Sequence, residues 1–296
     1  MKREIILQAE NTLATRHQKL NEEYEKEKSL LSKNEEYIKL NSALHKEMIE
    51  NARREAYGEK IDRKKENKLK ANLDQLLKKQ NISLTEKFSC SKCKDSGYVN
   101  GKMCSCLKKE ISNILFEESN FGKLVSFDCA KKTAPKEYQK LYDKMKEWCH
   151  SDFKKNLIFM SGEAGVGKTY LTTAIANELI EEGKIVKLVT AFQMSRDFKE
   201  YRFKYNEELI DKYLSCEFLF IDDIGTETLY KGITIELLFH VINERRIRKL
   251  CTIITSNLTL DEIFDRYDER IFSRIVDRDS SININMEGLD LRINKR

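Results

Sequence analysis

The chain is poor in proline and glycine and has no long apolar segment, and each shortage narrows its class. Its 296 residues include one proline and 11 glycines, which excludes collagen-like and proline-rich low-complexity chains. No apolar run approaches the ~20 residues that span a bilayer, and the first residues lack the apolar stretch of a secretory signal peptide. We therefore expect a globular, cytoplasmic protein with no membrane partner.

The charge balance is close to even. Lysine and arginine number 54 against 49 aspartates and glutamates, which leaves a net charge of +5. So small an excess, interleaved with acidic residues, fits a solvated surface as well as a contact with nucleic acid. Composition alone does not separate these two interpretations.

Residues 1–85 are predicted to form a helical arm. The segment has a single glycine, Gly58, and is dense in lysine, glutamate and leucine, which are strong helix formers. Apolar side chains recur at spacings of seven and four, which places them on one stripe of a helix. The stripe fits either a helical hairpin that covers its own apolar face or an arm that binds a partner or associates with itself. Its residues are Ile6, Leu13, Leu20, Tyr24, Leu31 and Ile38.

Residues 86–110 contain four of the eight cysteines, which are Cys90, Cys93, Cys104 and Cys106. Asn100-Gly101 between them predicts a type I′ hairpin turn that folds the second pair back onto the first. Four thiolates brought together suit a structural, tetrahedral zinc site. An iron–sulfur cluster and free or redox-active thiols are the alternatives. The remaining cysteines are scattered and are interpreted as packed thiols; they are Cys129, Cys149, Cys216 and Cys251.

From residue 156 onward, short apolar runs rich in β-branched and aromatic residues alternate with helical segments. The apolar runs, which we predict to be buried strands, are 157–160, 185–189, 218–221 and 252–255. The helical segments are 168–182, 193–214 and 233–247. This alternation predicts an α/β domain with a parallel sheet.

The segment Gly162–Thr169 matches the phosphate-binding pattern G-x-x-x-x-G-K-[ST] between a predicted strand and a predicted helix. Its backbone N–H groups and the helix N-terminus favour a polyphosphate anion. Lys168 is expected to reach the β- and γ-phosphates of ATP, and Thr169 to ligate Mg²⁺. The predicted nucleotide-binding residues of this segment are Gly162, Glu163, Ala164, Gly165, Val166, Gly167, Lys168, Thr169 and Tyr170.

Acidic and amide side chains follow two other predicted strands. Asp222 and Asp223 come directly after the run 218–221. We expect Asp222 to help bind Mg²⁺ and Asp223 to act as general base toward the attacking water. Asn257 follows the run 252–255, where an amide can orient that water, although Ser-Asn after a strand is also a common turn.

Taken in order, these motifs resemble a known family. GEAGVGKT, FLFIDDIGTE, INERR, TIITSNL and ERIFSRI together resemble the AAA+ ATPases of the DnaC/DnaI-type bacterial replicative helicase loaders. The IstB-type transposition helper ATPases are similar. The resemblance implies an AAA+ parallel-sheet fold in which 162–169 is Walker A, Asp222 and Asp223 form Walker B, and Asn257 is sensor 1.

The resemblance also implies an arginine finger, which acts on the nucleotide of a neighbouring subunit. Arg274 is favoured for this role and Arg270 is the second choice, while Arg292 resembles a weaker nucleotide-sensing arginine. The implied catalytic residues are Lys168, Asp223, Asn257 and Arg274. Many AAA+ proteins have Asp-Glu where this chain has Asp-Asp, so we expect slow hydrolysis that a partner stimulates.

The implied organisation is a helical arm (1–85), a zinc-binding module (86–110), a linker that begins the ATPase domain (111–150), and the AAA+ ATPase domain (151–296). Only the 22 residues after Arg274 remain for a helical lid, which is too few for a full one.

We expect an ATP-dependent loader of the replicative hexameric DNA helicase onto single-stranded DNA during replication initiation, which associates with copies of itself when ATP is bound. An IstB-like transposition helper and a non-hydrolysing ATP-binding adaptor are the alternatives. Candidate DNA contacts in the ATPase domain are Lys199, Arg202, Lys204 and Arg248.

Overall fold

A computed structural model describes residues 3–80, 82, 87–119 and 121–288 of the chain. By its contacts the chain divides into two units: residues 12–96 form the smaller one, and residues 1–11 with 97–296 form the larger one. In the part of the chain that the structure describes, no helix combines the length and the apolar character that a membrane span needs.

Three helices occupy the predicted arm: α1 (Arg3–Leu31), α2 (Glu35–Ala56) and α3 (Lys64–Lys79). The chain turns between α1 and α2, where the side chain of Asn34 accepts a hydrogen bond from the Tyr37 N–H and begins the second helix. Ile38 therefore lies on a different helix from the rest of the predicted stripe, and it is 45% exposed. The helical arm is confirmed, but the extension of one stripe to Ile38 is wrong.

Helices α2 and α3 form a hairpin. Leu44 of α2 and Leu73 and Leu76 of α3 are buried, and the buried Asn51 side chain donates to the Glu66 carboxylate at 2.9 Å. This part of the arm covers some of its own apolar surface, as the hairpin interpretation predicts.

The cysteine segment contains a short hairpin of β1 (Tyr98–Val99) and β2 (Lys102–Met103). Asn100 and Gly101 join the strands with positive φ angles of 50° and 73°, as a type I′ turn requires. The predicted turn is confirmed.

Helix α4 (Ser105–Glu117) begins between the last two cysteines and lies beside the large sheet. The Ser112 hydroxyl donates to the Lys184 carbonyl at 2.8 Å and accepts from the Val186 N–H at 2.9 Å. The start of α4 lies close to the turn before β4: a Cβ added at Gly183 would be 2.4 Å from the Cβ of Ser105. The following helices, α5 (Phe127–Thr133) and α6 (Gln139–Cys149), supply buried side chains to the same core.

The larger unit is built on a parallel sheet of five strands in the order β4-β5-β6-β3-β7. The strands are β3 (Leu157–Gly162), β4 (Val186–Thr190), β5 (Phe218–Ile224), β6 (Cys251–Ser256) and β7 (Ser281–Met286). The predicted α/β fold is confirmed, and four of these strands match the predicted runs closely. Strand β7, whose sequence is SININM, was not predicted because polar residues interrupt its apolar pattern.

After β3, the described part of the chain contains six further helices: α7 (Lys168–Glu181), α8 (Ala191–Lys204), α9 (Glu208–Leu214), α10 (Thr234–Ile247), α11 (Leu260–Tyr267) and α12 (Glu269–Val276). The single helix predicted over 193–214 is wrong, because the chain leaves the helix at Tyr205, whose φ is 50°. The strand order brings the carboxyl ends of β3, β5 and β6 together, and these ends carry the predicted phosphate and metal-binding residues.

Candidate nucleotide and metal sites

The phosphate loop joins β3 to the first residue of α7. Gly162, Gly165 and Gly167 have φ angles of 147°, 83° and 101°, which L-residues with a side chain adopt only with strain. A Cβ at Gly162 would also lie 2.0 Å from the carbonyl oxygen of Met286 on β7. Glycine is therefore required here both by the backbone angle and by the neighbouring strand.

Lys168 links this loop to the end of β6. Its side chain is largely buried, at 7% exposure. The Nζ atom donates to the carbonyls of Gly162 and Glu163 at 2.6 and 2.8 Å, and to Oδ1 of Asn257 at 2.8 Å. Two residues that are 89 positions apart in the sequence, and that were assigned to Walker A and sensor 1 by resemblance, are thus in direct contact.

Asp222 lies on β5 beside the start of α7. The Thr169 hydroxyl is 3.4 Å from both of its carboxylate oxygens, and the Thr255 hydroxyl donates to Oδ1 at 2.6 Å. Burial raises the pKa of Asp222, and the charge of Asp223 adds to this effect against the hydrogen bonds from both threonines. A hydroxyl and a carboxylate in this arrangement are oxygen ligands that suit Mg²⁺.

Asp223 occupies an irregular point of β5, where the pairing with β6 shifts between Ile221 and Ile224. Its φ is 61°, an uncommon value for a residue with a side chain. The Asn257 amide donates to its carboxylate at 2.6 Å, and its own N–H donates to the Thr255 hydroxyl at 2.8 Å. Burial raises the pKa of Asp223; Lys168 opposes this shift and Glu227 adds to it.

Thr255 is a site residue that the sequence did not reveal. It is the fifth residue of β6, is 1% exposed, and contacts both aspartates through one hydroxyl. Threonine is common in buried strands, so its type alone gave no signal. Its contact with the aspartates is seen only once β5 is paired with β6. The available signal was its position two residues before Asn257.

The other predicted loop residues differ in their environment. Glu163 and Ala164 are exposed, whereas Val166 is buried and Tyr170 packs against the core. Arg292 lies outside the described residues.

The two candidate finger arginines lie on α12 and face α10. The Arg274 Nε donates to Oδ1 of Asn243 at 3.1 Å, and Arg270 pairs with the Asp268 carboxylate at 2.9 and 3.1 Å. Both guanidinium groups also lie near the Phe239 ring, at 5.0 Å from its centroid for Arg270 and 5.6 Å for Arg274. Aromatic contact of this kind orients a guanidinium without neutralising its charge.

The sulfur atoms of Cys90, Cys93, Cys104 and Cys106 all lie within 4.8 Å of one another. A side chain holds the backbone beside the first pair: the Asp95 carboxylate accepts from the N–H groups of Ser89 and Cys90 at 2.9 and 2.7 Å. Four converging thiols fit the donor set of a structural zinc ion. An all-sulfur donor set is also compatible with an iron–sulfur cluster.

The scattered cysteines are not all packed. Cys149, Cys216 and Cys251 are buried, and burial raises the pKa of Cys251 to about 12. Cys129 is exposed, so its interpretation as a packed thiol is wrong. It lies on α5 two residues after the buried Phe127, on a short helix whose exposed face the sequence did not define.

The chain has a five-stranded parallel sheet, a strand–loop–helix phosphate site after β3, and paired aspartates on β5, with β6 between these two strands. These features define an ATP-binding protein of the AAA+ P-loop class. The model of the family of IstB-like ATP-binding proteins matches residues 123–294. The chain belongs to that family.

Similar proteins include phage proteins and replication proteins. The phage-like element PBSX protein XkdC of Bacillus subtilis (strain 168) is 26% identical over 241 residues, which are 71% of this chain and 86% of that protein. The replicative helicase loader DnaI of the same organism is 30% identical over 127 residues, which are 43% of this chain and 40% of that protein. A crystal structure of the DnaC helicase loader is 20% identical, with 56% of this chain and 97% of that chain covered and a TM-score of 0.46. The predicted family resemblance is confirmed.

Proposed function

We propose that this protein is an ATP-dependent loader of a replicative DNA helicase and that it hydrolyses ATP slowly. The observation that carries the proposal is the connected set Lys168–Asn257–Asp223, which joins three strand ends at one phosphate loop. The likeness to the helicase loader DnaI supports the choice of client.

The residues divide the chemical work. The loop amides and Lys168 bind the β- and γ-phosphates, and Thr169 and Asp222 hold Mg²⁺, which when bound neutralises charge on the phosphate oxygens. Asp223 accepts the proton of the attacking water, and the Asn257 amide fixes the direction of that carboxylate. An aspartate is one methylene shorter than the usual glutamate, so the water is held less well and hydrolysis is slow.

The four clustered cysteines hold zinc in a structural role. In this proposal the four cysteines and the helical arm form the part that docks on the hexameric helicase. Because all four ligands are thiolates, no position is left open for catalysis at the metal.

Single-stranded DNA binds at the end of α8 in this proposal. Phe203 and Tyr205 are 70% and 79% exposed, and they alternate with Arg202 and Lys204 in the sequence. Exposed aromatic rings on which bases stack, beside positive charges that meet the backbone phosphates, are typical of single-strand binding. Arg248 and Lys199 are further candidate contacts.

The decisive test measures ATP hydrolysis with and without the host replicative helicase and single-stranded DNA. The wild type, Lys168→Ala and Asp223→Asn are compared, with nucleotide affinity measured separately for each. We expect a slow wild-type rate that rises with helicase or DNA, no nucleotide binding by Lys168→Ala, and binding without turnover by Asp223→Asn. Equal background rates in all three proteins, with ATP bound normally by the wild type, would favour the non-hydrolysing adaptor.

The finger assignment has its own test, because such an arginine acts on a neighbouring subunit. Mixing Lys168→Ala with Arg274→Ala should restore part of the activity that each lacks alone, since a mixed pair contains one complete site. Arg270→Ala is tested in the same way, alone and mixed with Lys168→Ala, and the arginine whose variant is inactive alone but restored in the mixture is the finger. Arg278→Ala is the exposed control. No restoration with either arginine variant would remove the trans-acting role.

The family name itself supports a second candidate, a transposition helper that binds duplex DNA and a transposase. Pull-down with the host helicase separates the two functions. A stable ATP-dependent complex supports the loader, whereas duplex DNA binding without helicase binding supports the helper.

A further inference from the structure

Glu227 is a buried acid in the loop that follows β5, and the nucleotide chemistry above does not use it. It is 5% exposed, four residues after Asp223. One carboxylate oxygen, Oε2, accepts from the Gly225 N–H at 2.8 Å. The other, Oε1, accepts from the Tyr267 hydroxyl at 2.6 Å and lies 3.4 Å from Nη2 of Arg266.

This arrangement is a fully partnered buried anion. An isolated buried carboxylate is strongly disfavoured, and it persists where hydrogen bonds and an opposite charge compensate for the lost water. Arg266 adds a second bond by donating to the Glu227 carbonyl at 2.8 Å. Tyr267 is itself fully buried, so its hydroxyl is committed to Glu227.

Glu227 does not take over the role of the glutamate that many AAA+ proteins have at the position of Asp223. Its two oxygens are engaged by Gly225, Tyr267 and Arg266, and it is not among the groups that contact Lys168 or Asn257 through a hydrogen bond in the described part of the chain. Besides the charge that it places near Asp223, Glu227 therefore acts through the backbone of the loop, whose Gly225 N–H it holds.

That backbone holds Asp223 in an uncommon conformation. With φ at 61°, Asp223 needs its neighbours to fix it, and such strain persists only where the surroundings hold it. The Thr226 hydroxyl donates to the Asp223 carbonyl at 2.8 Å. Gly225, with φ at 109°, lies so close to the segment after β6 that an added Cβ would be 2.7 Å from Cδ1 of Leu258. Glu227 anchors the Gly225 N–H from the opposite end of this tight turn.

We propose that Glu227, held by Tyr267 and Arg266 of α11, is a positioning residue that fixes the Asp223 carboxylate for ATP hydrolysis. The proposal rests on the hydrolysis proposed above. Through Glu227, α11 is also linked to the end of β5 that carries Asp223. Asp268, which follows α11 and accepts from the Arg270 N–H, extends this link to α12, the helix of the candidate finger arginines.

The test compares Glu227→Ala, Glu227→Gln and Tyr267→Phe, with Asp261→Asn as the control on the exposed side of α11. For each protein, kcat and KM for ATP, the dissociation constant for ATP and the thermal unfolding midpoint are measured. Glu227→Ala should lower kcat by about tenfold or more and leave ATP affinity within about threefold. Glu227→Gln, which keeps an acceptor for the Gly225 N–H, should recover most of the rate.

A purely structural role predicts a different pattern. If kcat of folded Glu227→Ala equals that of the wild type, or if kcat and ATP affinity fall together in proportion to stability, the proposal is overturned. Should Glu227→Ala not fold, Tyr267→Phe decides: it removes one hydroxyl only, and an unchanged kcat for it overturns the proposal while a selective fall in kcat supports it. A wild type that binds ATP but never hydrolyses it, even with helicase and DNA, overturns the proposed hydrolysis and this role together.

Discussion

The nucleotide site and the cysteine cluster are assembled in opposite ways. The nucleotide site takes residues from three strand ends, with Lys168, Asp223 and Asn257 spread over 89 positions and joined by the parallel sheet. The cysteine cluster takes all four ligands from 17 consecutive residues, 90–106, that turn on one hairpin. The first therefore depends on a packed core, and the second on local turn geometry and on the metal that we propose it holds.

The largest expected effect separates the two sites outright. Lys168→Ala should abolish measurable ATP binding, or weaken it by on the order of 100-fold, because it removes the cation that joins the loop to Asn257. The zinc content should not change, since no cysteine depends on this lysine. Calorimetry with ATP and metal analysis of the same preparation measure both, with Lys155→Ala as an exposed control. Loss of metal together with ATP binding would contradict the independence of the sites.

The converse experiment removes the metal. A chelator should release zinc and raise the number of reactive thiols from one, Cys129, to five with the four clustered cysteines. Zinc binding supplies an apparent ~10–16 kcal/mol in small zinc-finger peptides, so the hairpin should lose its structure while ATP still binds. Thiol titration under native conditions measures the count. Cys129→Ser should lower both counts by one, and five reactive thiols before chelation would show that the cluster holds no metal.

A smaller effect is expected from Thr255→Val, which keeps the shape of the side chain but removes its hydroxyl. The Asp223 N–H then loses its acceptor, and an unsatisfied buried group of this kind costs about 1–3 kcal/mol. We expect a lower unfolding temperature and a fall in kcat of about tenfold, with zinc retained. Thr255→Ser, which restores the hydroxyl, is the matched control. Wild-type turnover in Thr255→Val would remove Thr255 from the site.

The smallest effect concerns pH. Burial raises the pKa of Asp223 above its usual range, so the protonated form is favoured in the folded state. The contribution of Asp223 to the free energy of unfolding is then fully present at low pH and is lost as pH rises through the raised pKa. At neutral pH the nucleotide-free protein carries a buried negative charge at Asp223 that lowers its stability. Asp223→Asn should unfold at a slightly higher temperature than the wild type near pH 7.

The difference in unfolding temperature should shrink as pH falls toward acid. Thermal unfolding from pH 4 to pH 8 measures it, and a difference that grows toward low pH would reverse the sign that we give. In the wild type, the acidic limb of kcat/KM, which reports the free enzyme, should lie above the ordinary aspartate pKa of about 3.9.

Most of the nucleotide site was predictable because its residues follow strands that have a clear sequence pattern. The runs 157–160 and 218–221 are continuous and apolar, the run 252–255 is β-branched throughout, and a site residue follows each run within two positions. Strand β7, against which Gly162 packs, alternates apolar with polar residues. That pattern is typical of a half-buried strand, but it lacks the continuous run by which the other four strands were predicted. Helix α8 was predicted too long because Tyr205 ends it with a positive φ that its residue type does not announce.

Residue type and spacing are enough to predict the phosphate loop, the order of acidic and amide residues after the strands, and the Asn100-Gly101 turn between the cysteine pairs. These are local features, in which the residue type sets the backbone angles and the spacing sets which groups lie side by side. The tertiary structure alone decided that Thr255 contacts both aspartates, that Cys129 is exposed, and that Glu227 is buried against Tyr267. Each of these features depends on which strands and helices lie next to one another. Those neighbours are set mainly by hydrophobic packing, which is not directional and is not encoded by any single residue.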